Sequence, residues 1–218
     1  MEDVLCVYQR PYDPLRPQVC MDEISVQLLS DVPGREPLPL VPGDCAKEDY
    51  EYKREGVANI FLGFEPLAGR RYCTVTERRT KLDWAYWVRE LVDVHYPVAE
   101  RVVLVMDNLN VHSPASLYEA FEPQEAKRIA DKLEIHYTPK HGSWLNMAEI
   151  ELSVLRGQCL DRRLPDIPTL AYEVAAWEWD RNARHSTVDW RFTTQHARIN
   201  LKHLYPVVQL ADLSVTYY

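Results

Sequence analysis

Apolar and polar residues alternate along the first part of the chain with the two-residue period of a β-strand. Residues 17–29 follow this pattern and predict a first strand. Two further β-prone runs, 56–65 and 71–76, are separated by a Pro-Leu-Ala-Gly segment, which predicts an antiparallel hairpin with a four-residue connection. A fourth strand is predicted at 102–106, where five apolar residues end abruptly at an aspartate.

Helices are predicted from capping residues and from apolar positions at helical spacing. Thr80 followed by Asp83 is related to the capping box and predicts a helix start. Pro114 and Pro123 are each expected at the first position of a helix, where proline is favoured. The remaining predicted elements are a short strand at 134–137 and helices at about 144–159, 166–183 and 193–204.

The order of these elements predicts the fold class. Three strands in a meander are followed by alternating helices and strands, which is typical of a mixed sheet covered by helices. We therefore expect an α/β fold in which a mixed five-stranded sheet is flanked by helices. Residues 31–49 contain four prolines and two glycines and are expected to form a long loop.

Composition narrows the class of protein. Of the 218 residues, 46% are hydrophobic and 27% are charged, which is typical of a globular domain. The five cysteines are odd in number and form no Cys-x-x-Cys pair, which argues against a disulfide framework or a zinc site. Because the sequence has no basic leader and no apolar stretch near ~20 residues, we expect a cytoplasmic protein that is not bound to a membrane.

The formal net charge of −8 bears on nucleic-acid binding. A protein whose affinity came mainly from phosphate neutralisation would be basic, so any such contact must depend on local basic patches, metal ions or a partner domain. The clearest basic cluster follows the predicted hairpin turn and comprises Arg70, Arg71, Arg78, Arg79 and Lys81. A hairpin end beside a helix start can grip a phosphate backbone, although each arginine taken singly is as well explained as a solvated surface residue.

Three acidic residues are candidates for metal chemistry, namely Asp22 in the first strand, Asp107 after the fourth and Glu149 on a predicted helix. If the first and fourth strands are neighbours, Asp22 and Asp107 converge at the edge where functional groups gather in α/β sheets. Like charges raise one another's pKa, so three carboxylates at one point imply divalent cations, and oxygen ligands favour Mg²⁺ or Mn²⁺. Alternatively, Asp107 only caps the following turn, or Glu23 or Glu151 is the ligand instead.

Four segments resemble bacterial insertion-sequence transposases related to mariner, which belong to the DDE superfamily of endonucleases. They are RPQVCMDE at 16–23, DNLNVH at 107–112, IHYTPKHGSWLNMAEIE at 135–151 and VDWRFTT at 188–194. The resemblance extends over residues 12–206 and implies a ribonuclease H-like fold. Such relatives carry helix-turn-helix modules ahead of the catalytic domain, which we expect to be absent here.

The same resemblance implies a division of the chain into three parts. Residues 1–12 are expected to be a remnant of an interdomain segment, and 207–218 a C-terminal tail. The catalytic domain is expected to span residues 13–206.

The resemblance also implies an active site and an activity. The triad falls on Asp22, Asp107 and Glu149, because the Leu-Asn-x-x-Glu match selects Glu149 over Glu151. These acids would hold two Mg²⁺ ions, for which Mn²⁺ can substitute. The implied reaction is cleavage of phosphodiesters at transposon ends, followed by attack of the freed 3′-hydroxyl on target DNA. The implied partners are double-stranded DNA and either a second copy of the chain or a full-length transposase.

Five residues close in sequence to these acids are expected to support the site. Lys140 and His141 are candidates for phosphate contacts, and Trp144 could stack on an unpaired base unless it belongs to the core. His112 is expected to fix the loop after the second aspartate, since nitrogen ligands are atypical for Mg²⁺. Asn146 is expected to lie just behind the ligands.

Two other functions stay open on the sequence alone. One is a non-catalytic fragment of a decayed element that binds and modulates a full-length transposase. The other is a different ribonuclease H-like nuclease, acting on RNA or on DNA junctions.

Overall fold

The computed structural model describes residues 1–34, 42, 50–109, 112–140 and 142–205. Most of the loop predicted at 31–49, His141 and the tail at 207–218 lie outside the described residues.

A single mixed sheet forms the centre of the molecule, with the strand order β3-β2-β1-β4-β5. The strands are β1 Gln18–Ser30, β2 Lys53–Glu65, β3 Arg70–Thr76, β4 Val102–Met106 and β5 Leu133–Tyr137. Neighbouring strands are antiparallel from β1 to β3 and parallel from β1 through β4 to β5. All five predicted strands and the four-residue hairpin connection are confirmed.

Within the residues that the structure describes, seven α-helices surround this sheet. They are α1 Glu2–Tyr8, α2 Lys81–Glu90, α3 Pro114–Ala120, α4 Pro123–Asp131, α5 Ala148–Leu155, α6 Ile167–Ala183 and α7 Thr194–Asn200. A wider π-type turn extends α2 over Leu91–His95 and α5 over Arg156–Leu160, and short 3₁₀ turns occupy Ser143–Leu145 and Lys202–Leu204. In the described part of the chain, no helix is both long and apolar enough to cross a bilayer.

The helices α2, α3 and α4 begin where the sequence predicts them. Thr80 accepts a hydrogen bond from the backbone N–H of Asp83 at 3.3 Å, and the Asp83 carboxylate accepts from the backbone N–H of Thr80 at 2.7 Å. This reciprocal pair satisfies two N–H groups that a helix leaves unpaired. Pro114 and Pro123 occupy the first positions of α3 and α4, where a missing N–H costs nothing.

The first twelve residues contain helix α1, which packs against the rest of the molecule. Val4, Leu5 and Val7 of α1 are fully buried in the main hydrophobic core. Glu2 receives two hydrogen bonds from Arg198 of α7, each at 2.7 Å. The segment is therefore an integral part of the folded domain.

The sheet separates two hydrophobic cores, and this determines where the acidic residues point. Cys20 and Ile24 of β1 lie in the core covered by α1, α5, α6 and α7. Met21 lies in the second core, which is covered by α2, α3 and α4. Because side chains alternate along a strand, Asp22 is on the α5 side of β1 and Glu23 is on the α2 side.

The outer edge of β3 is covered by side chains of α6. The Asn182 amide accepts from the backbone N–H of Arg71 at 2.7 Å and donates to the Arg71 carbonyl at 2.9 Å. One turn earlier, the Glu178 carboxylate accepts from the backbone N–H of Cys73 at 2.8 Å. These side chains take the place that a neighbouring strand would occupy.

Candidate active site

Asp22 and Asp107 occupy matching positions on two paired strands. The parallel register of β1 and β4 pairs Cys20 with Val105. Asp22 lies two residues after Cys20 in β1, and Asp107 lies two residues after Val105, just past the end of β4. Since β4 ends at Met106, Asp107 lies at the carboxyl end of this strand, where α/β sheets collect functional groups.

The start of α5 is fixed against β1 beside Asp22. Asn146 is buried and donates from Nδ2 to the carbonyl of Met21 at 2.8 Å. Its Oδ1 accepts from the backbone N–H of Ala148 at 3.2 Å, and its carbonyl accepts from that of Glu149 at 3.1 Å. Asn146 therefore connects the helix that carries Glu149 directly to the strand that carries Asp22.

Asp22 is influenced electrostatically by the other two candidate acids. The pKa of Asp22 is raised to about 7, first by burial and then by the negative charges of Glu23, Asp107 and Glu149. The backbone N–H of Glu23 donates to Asp22 at 2.8 Å and only partly opposes this rise. The neighbouring acids therefore make ionisation of Asp22 less favourable, as expected for a site that attracts a cation.

A cavity of about 340 Å³ opens between β1 and α5, and it is lined by Asp22, Glu23, Ile24, Glu149, Leu152, Ser153 and Arg156. Arg156 is the one residue in this lining that carries a positive charge. In the described part of the chain, Arg156 makes no ion pair with a carboxylate.

Arg156 is a candidate functional residue that the sequence analysis missed. It follows Glu149 by seven positions, which is two helical turns, so both side chains lie on one face of the helix. The helical spacing between Glu149 and Arg156 could therefore have indicated this residue. The sequence alone does not reveal which face of α5 borders the cavity.

His112 lies behind the cavity and contacts two of the acids. Its Nδ1 is 2.6 Å from Asp107 Oδ1 and its Nε2 is 3.1 Å from Glu23 Oε2, the latter without the angle of a hydrogen bond. Burial alone would lower the pKa of His112, but the interactions with Asp107 and Glu23 raise it to about 9. A protonated His112 thus holds the loop after β4 and partly balances the buried charge of Glu23, to which Arg79 adds a second positive group at 3.6 Å.

The donor set suits a hard divalent cation, because carboxylate oxygens are the ligands that Mg²⁺ and Mn²⁺ prefer. Among the described residues, no three acidic, histidine or cysteine side chains are close enough to enclose an ion as they stand. One oxygen of Asp107 is engaged by His112, which leaves the other for a metal. The chemistry of the site fits a cation, and the acids must draw closer to hold it.

Glu151, the rival to Glu149, is engaged in a separate buried network. Its two oxygens accept from Arg71 at 2.8 and 2.9 Å, and one of them also accepts from Arg181 at 2.8 Å. All of its charge is therefore compensated within the protein. The expectation that Arg71 contacts DNA is wrong, because its side chain is completely buried against Glu151 and over the ring of Phe64.

The remaining members of the predicted basic cluster are exposed but do not form one patch. Arg70 and Thr76 mark opposite ends of β3, which separates them by roughly 20 Å at about 3.3 Å per residue. Arg78, Arg79 and Lys81 follow the far end, on the side of Glu23. Arg70 is thus separated from the other exposed members of the predicted cluster.

Two other predicted contact residues lie near the start of α5. Trp144 has 44% of its surface exposed and meets Phe192 edge-on with 5.8 Å between ring centres. The alternative that Trp144 belongs to the core is therefore wrong. Lys140 is exposed in the turn before it, and His141 lies outside the described residues.

Comparison with known proteins identifies the fold and the family. The chain resembles the crystal structure of the Mos1 strand transfer complex with a TM-score of 0.55 and 14% sequence identity, over 85% of this chain and 56% of that one. It resembles the Mos1 transposase paired-end complex with the left transposon end with a TM-score of 0.54 and 15% identity, at the same coverage. The chain thus spans little more than half the length of these solved chains. No curated protein matches it in sequence.

The mixed five-stranded sheet with flanking helices is a ribonuclease H-like fold, as predicted. A family model described as "DDE superfamily endonuclease" matches residues 17–171, which is most of the chain. This protein therefore belongs to the DDE superfamily of endonucleases, whose members use divalent metal ions.

Proposed function

We propose that this chain is the catalytic domain of a DNA transposase, which cleaves phosphodiesters at transposon ends and joins the freed 3′-hydroxyl to target DNA. The observation that carries the proposal is that Asp22 and Glu149 line one cavity, and that the negative charges of Asp107 and Glu149 both raise the pKa of Asp22. Membership of the DDE superfamily and the likeness to Mos1 transposase complexes support it.

Asp22, Asp107 and Glu149 are the proposed metal ligands. They would hold two Mg²⁺ ions, with Mn²⁺ as a substitute. When bound, such a pair activates water on one side of a phosphodiester and stabilises the leaving oxygen on the other. His112 and Asn146 are positioning residues in this proposal, because they hold Asp107 and the start of α5 respectively.

Positive and aromatic groups around the acids are proposed to bind the substrate. Arg156 lines the same cavity and is free to neutralise a phosphate next to the scissile bond. Arg78 and Arg79 follow the Thr76 end of β3, near Glu23, and would contact the DNA backbone beyond the cavity. Trp144 and Lys140, in the turns that precede α5, would contact an unpaired base and its phosphate.

The proposed partners are double-stranded DNA, as element ends and as target, and a second copy of the chain or a full-length transposase. The protein would act in the cytoplasm, on the nucleoid. Such DNA binding is compatible with a net charge of −8 only if metal ions and local cations offset the acids at the site.

The test is a nicking assay with supercoiled plasmid DNA and the full chain, purified in EDTA and then supplied with Mn²⁺ or Mg²⁺. We expect nicking that requires metal and that disappears in Asp107→Asn and Glu149→Gln. Glu125→Gln removes a carboxylate on α4, away from the site, and serves as the matched control that keeps activity. Nicking no faster than in Asp107→Asn would contradict the proposal, and preferential cleavage of RNA–DNA hybrid would indicate a different nuclease.

A further inference from the structure

The most exposed positions of α6 within the helix carry no charge, and the partly exposed Asp180 beside them pairs with Arg184 at the helix end. These exposed positions, which form the outward side of α6, are Pro168, Tyr172, Ala175, Ala176, Trp179 and Ala183. A surface helix ordinarily presents polar and charged side chains to water. Tyr172 and Trp179 are 74% and 75% exposed, so two large aromatic side chains stand almost free in solvent. Contiguous exposed apolar surface of this kind marks an interaction site.

The spacing of these residues is symmetric about the middle of the helix. Tyr172 and Trp179 stand at equal distances on either side of the Ala175–Ala176 pair, roughly 10 Å apart along the axis at 1.5 Å per residue. In an antiparallel pair of α6 helices, Tyr172 of one copy lies opposite Trp179 of the other. The alanines at the crossing allow the two helix axes to approach closely. A surface that matches itself under a two-fold rotation is what a symmetric dimer requires.

The charges at the two ends of α6 favour the same antiparallel arrangement. Asp166 is exposed at the amino end, and its carboxylate caps the helix by accepting from the backbone N–H of Thr169 at 2.8 Å. Arg184 and His185 are exposed at the carboxyl end. Two antiparallel copies bring Asp166 of each next to Arg184 and His185 of the other, whereas a parallel pair brings like charges together.

We propose that the outward side of α6 is a self-association surface on which a second copy of this chain docks antiparallel, centred on Ala175 and Ala176. Four aromatic side chains, two from each copy, bury on the order of 600 Å². This is below the roughly 1,600 Å² of a standard interface. The dimer is therefore reversible and depends on protein concentration.

Sedimentation equilibrium of the full chain tests the surface independently of nuclease activity. We expect a monomer–dimer equilibrium with a dissociation constant in the range of about 1–100 µM. Trp179→Glu and Ala176→Glu each place a charge at the interface and weaken dimerisation by at least about tenfold. Tyr50→Glu introduces the same charge at an aromatic position that is 85% exposed elsewhere, and it leaves the equilibrium unchanged.

Cysteine cross-linking tests the proposed geometry. With Cys6 and Cys45 replaced by serine, Ala176→Cys lies next to the two-fold axis and cross-links to its own copy under mild oxidation. Ala183→Cys is roughly 22 Å from its counterpart and does not cross-link. A wild-type chain that stays monomeric up to about 1 mM overturns the proposal. A dimer whose dissociation constant is unchanged by Trp179→Glu, and that does not cross-link through Ala176→Cys, also overturns the proposal.

Discussion

Glu149 and Glu151 stand two residues apart on α5 in opposite environments, and the same substitution should affect them differently. Glu151 is buried and neutralises Arg71, which is itself completely buried. Glu149 faces the cavity next to two other acids. Glu151→Gln removes a compensating charge from the interior, whereas Glu149→Gln removes a repelling charge from the surface of the cavity.

The structure sets the expected size of the effect. Removal of one member of a buried ion pair costs about 3–5 kcal/mol of unfolding free energy. Glutamine keeps the volume and one acceptor oxygen, and Arg71 also donates to the carbonyls of Gly69 and Ser186, each at 2.6 Å. We therefore expect a loss of about 3 kcal/mol for Glu151→Gln. At about 2–4 °C per kcal/mol, the Tm should fall by roughly 6–12 °C.

Urea and thermal unfolding in EDTA measure this difference without a contribution from bound metal. Glu149→Gln is the matched control and should lie within about 0.5 kcal/mol of wild type or above it. The reasoning is refuted if Glu151→Gln loses less than about 1 kcal/mol. It is equally refuted if Glu149→Gln is the more destabilised of the two variants.

The pH dependence of stability provides a second readout of the same ion pair. Burial alone would raise the pKa of Glu151, but hydrogen bonds from Arg71 and Arg181 bring it below the ordinary value of 4.5. A carboxyl whose pKa is lowered by folding stabilises the protein above its unfolded pKa, and this contribution is lost as the pH falls through the folded value. Wild type should therefore lose its advantage over Glu151→Gln below about pH 4.5.

Four further predictions concern the site and its supports. Asn146→Ala breaks the link between α5 and the carbonyl of Met21. We expect a loss of about 1–2 kcal/mol in urea unfolding and a larger proportional loss of nicking per folded molecule. Equal losses would contradict a positioning role. Because the pKa of Asp22 is about 7, Mn²⁺ affinity measured by calorimetry should fall by up to about tenfold per unit below pH 7. The same raised pKa stabilises the metal-free protein at low pH, and this contribution is lost as the pH rises to 7. Asp22→Asn should therefore gain stability relative to wild type as the pH rises. A difference in unfolding free energy that stays constant with pH would argue against the shift. Tyr8→Phe removes the 2.6 Å hydrogen bond to the carbonyl of Leu145 and should cost about 1 kcal/mol in urea unfolding, whereas no change would show that α1 does not fix this turn.

The sequence predicted the sheet well because each strand has a local signature. The alternation at β1 and the apolar run of β4 located both strands, whereas their adjacency was only supposed and is confirmed by the parallel pairing of β1 with β4. Helix α1 was missed because seven residues are too few for a helical period to be recognised against a short apolar run.

The site was only partly predictable, because its electrostatics depend on contacts between distant parts of the chain. Periodicity alone left Glu149 and Glu151 equivalent, and what separates them is an arginine 80 residues away in sequence. The same contact explains why Arg71 was wrongly assigned to DNA, since counting charges along the chain does not reveal which side of β3 is buried.

Because α6 covers the edge of β3, the proposed catalytic acids and the protection of the sheet come from different stretches of the chain. The family match ends at residue 171, before Glu178 and Asn182. A protein shortened to that point would keep Asp22, Asp107 and Glu149 but leave a bare row of backbone donors and acceptors. Such a row is a template for strands of other molecules, so the shortened protein should aggregate through its edge even with every proposed metal ligand intact.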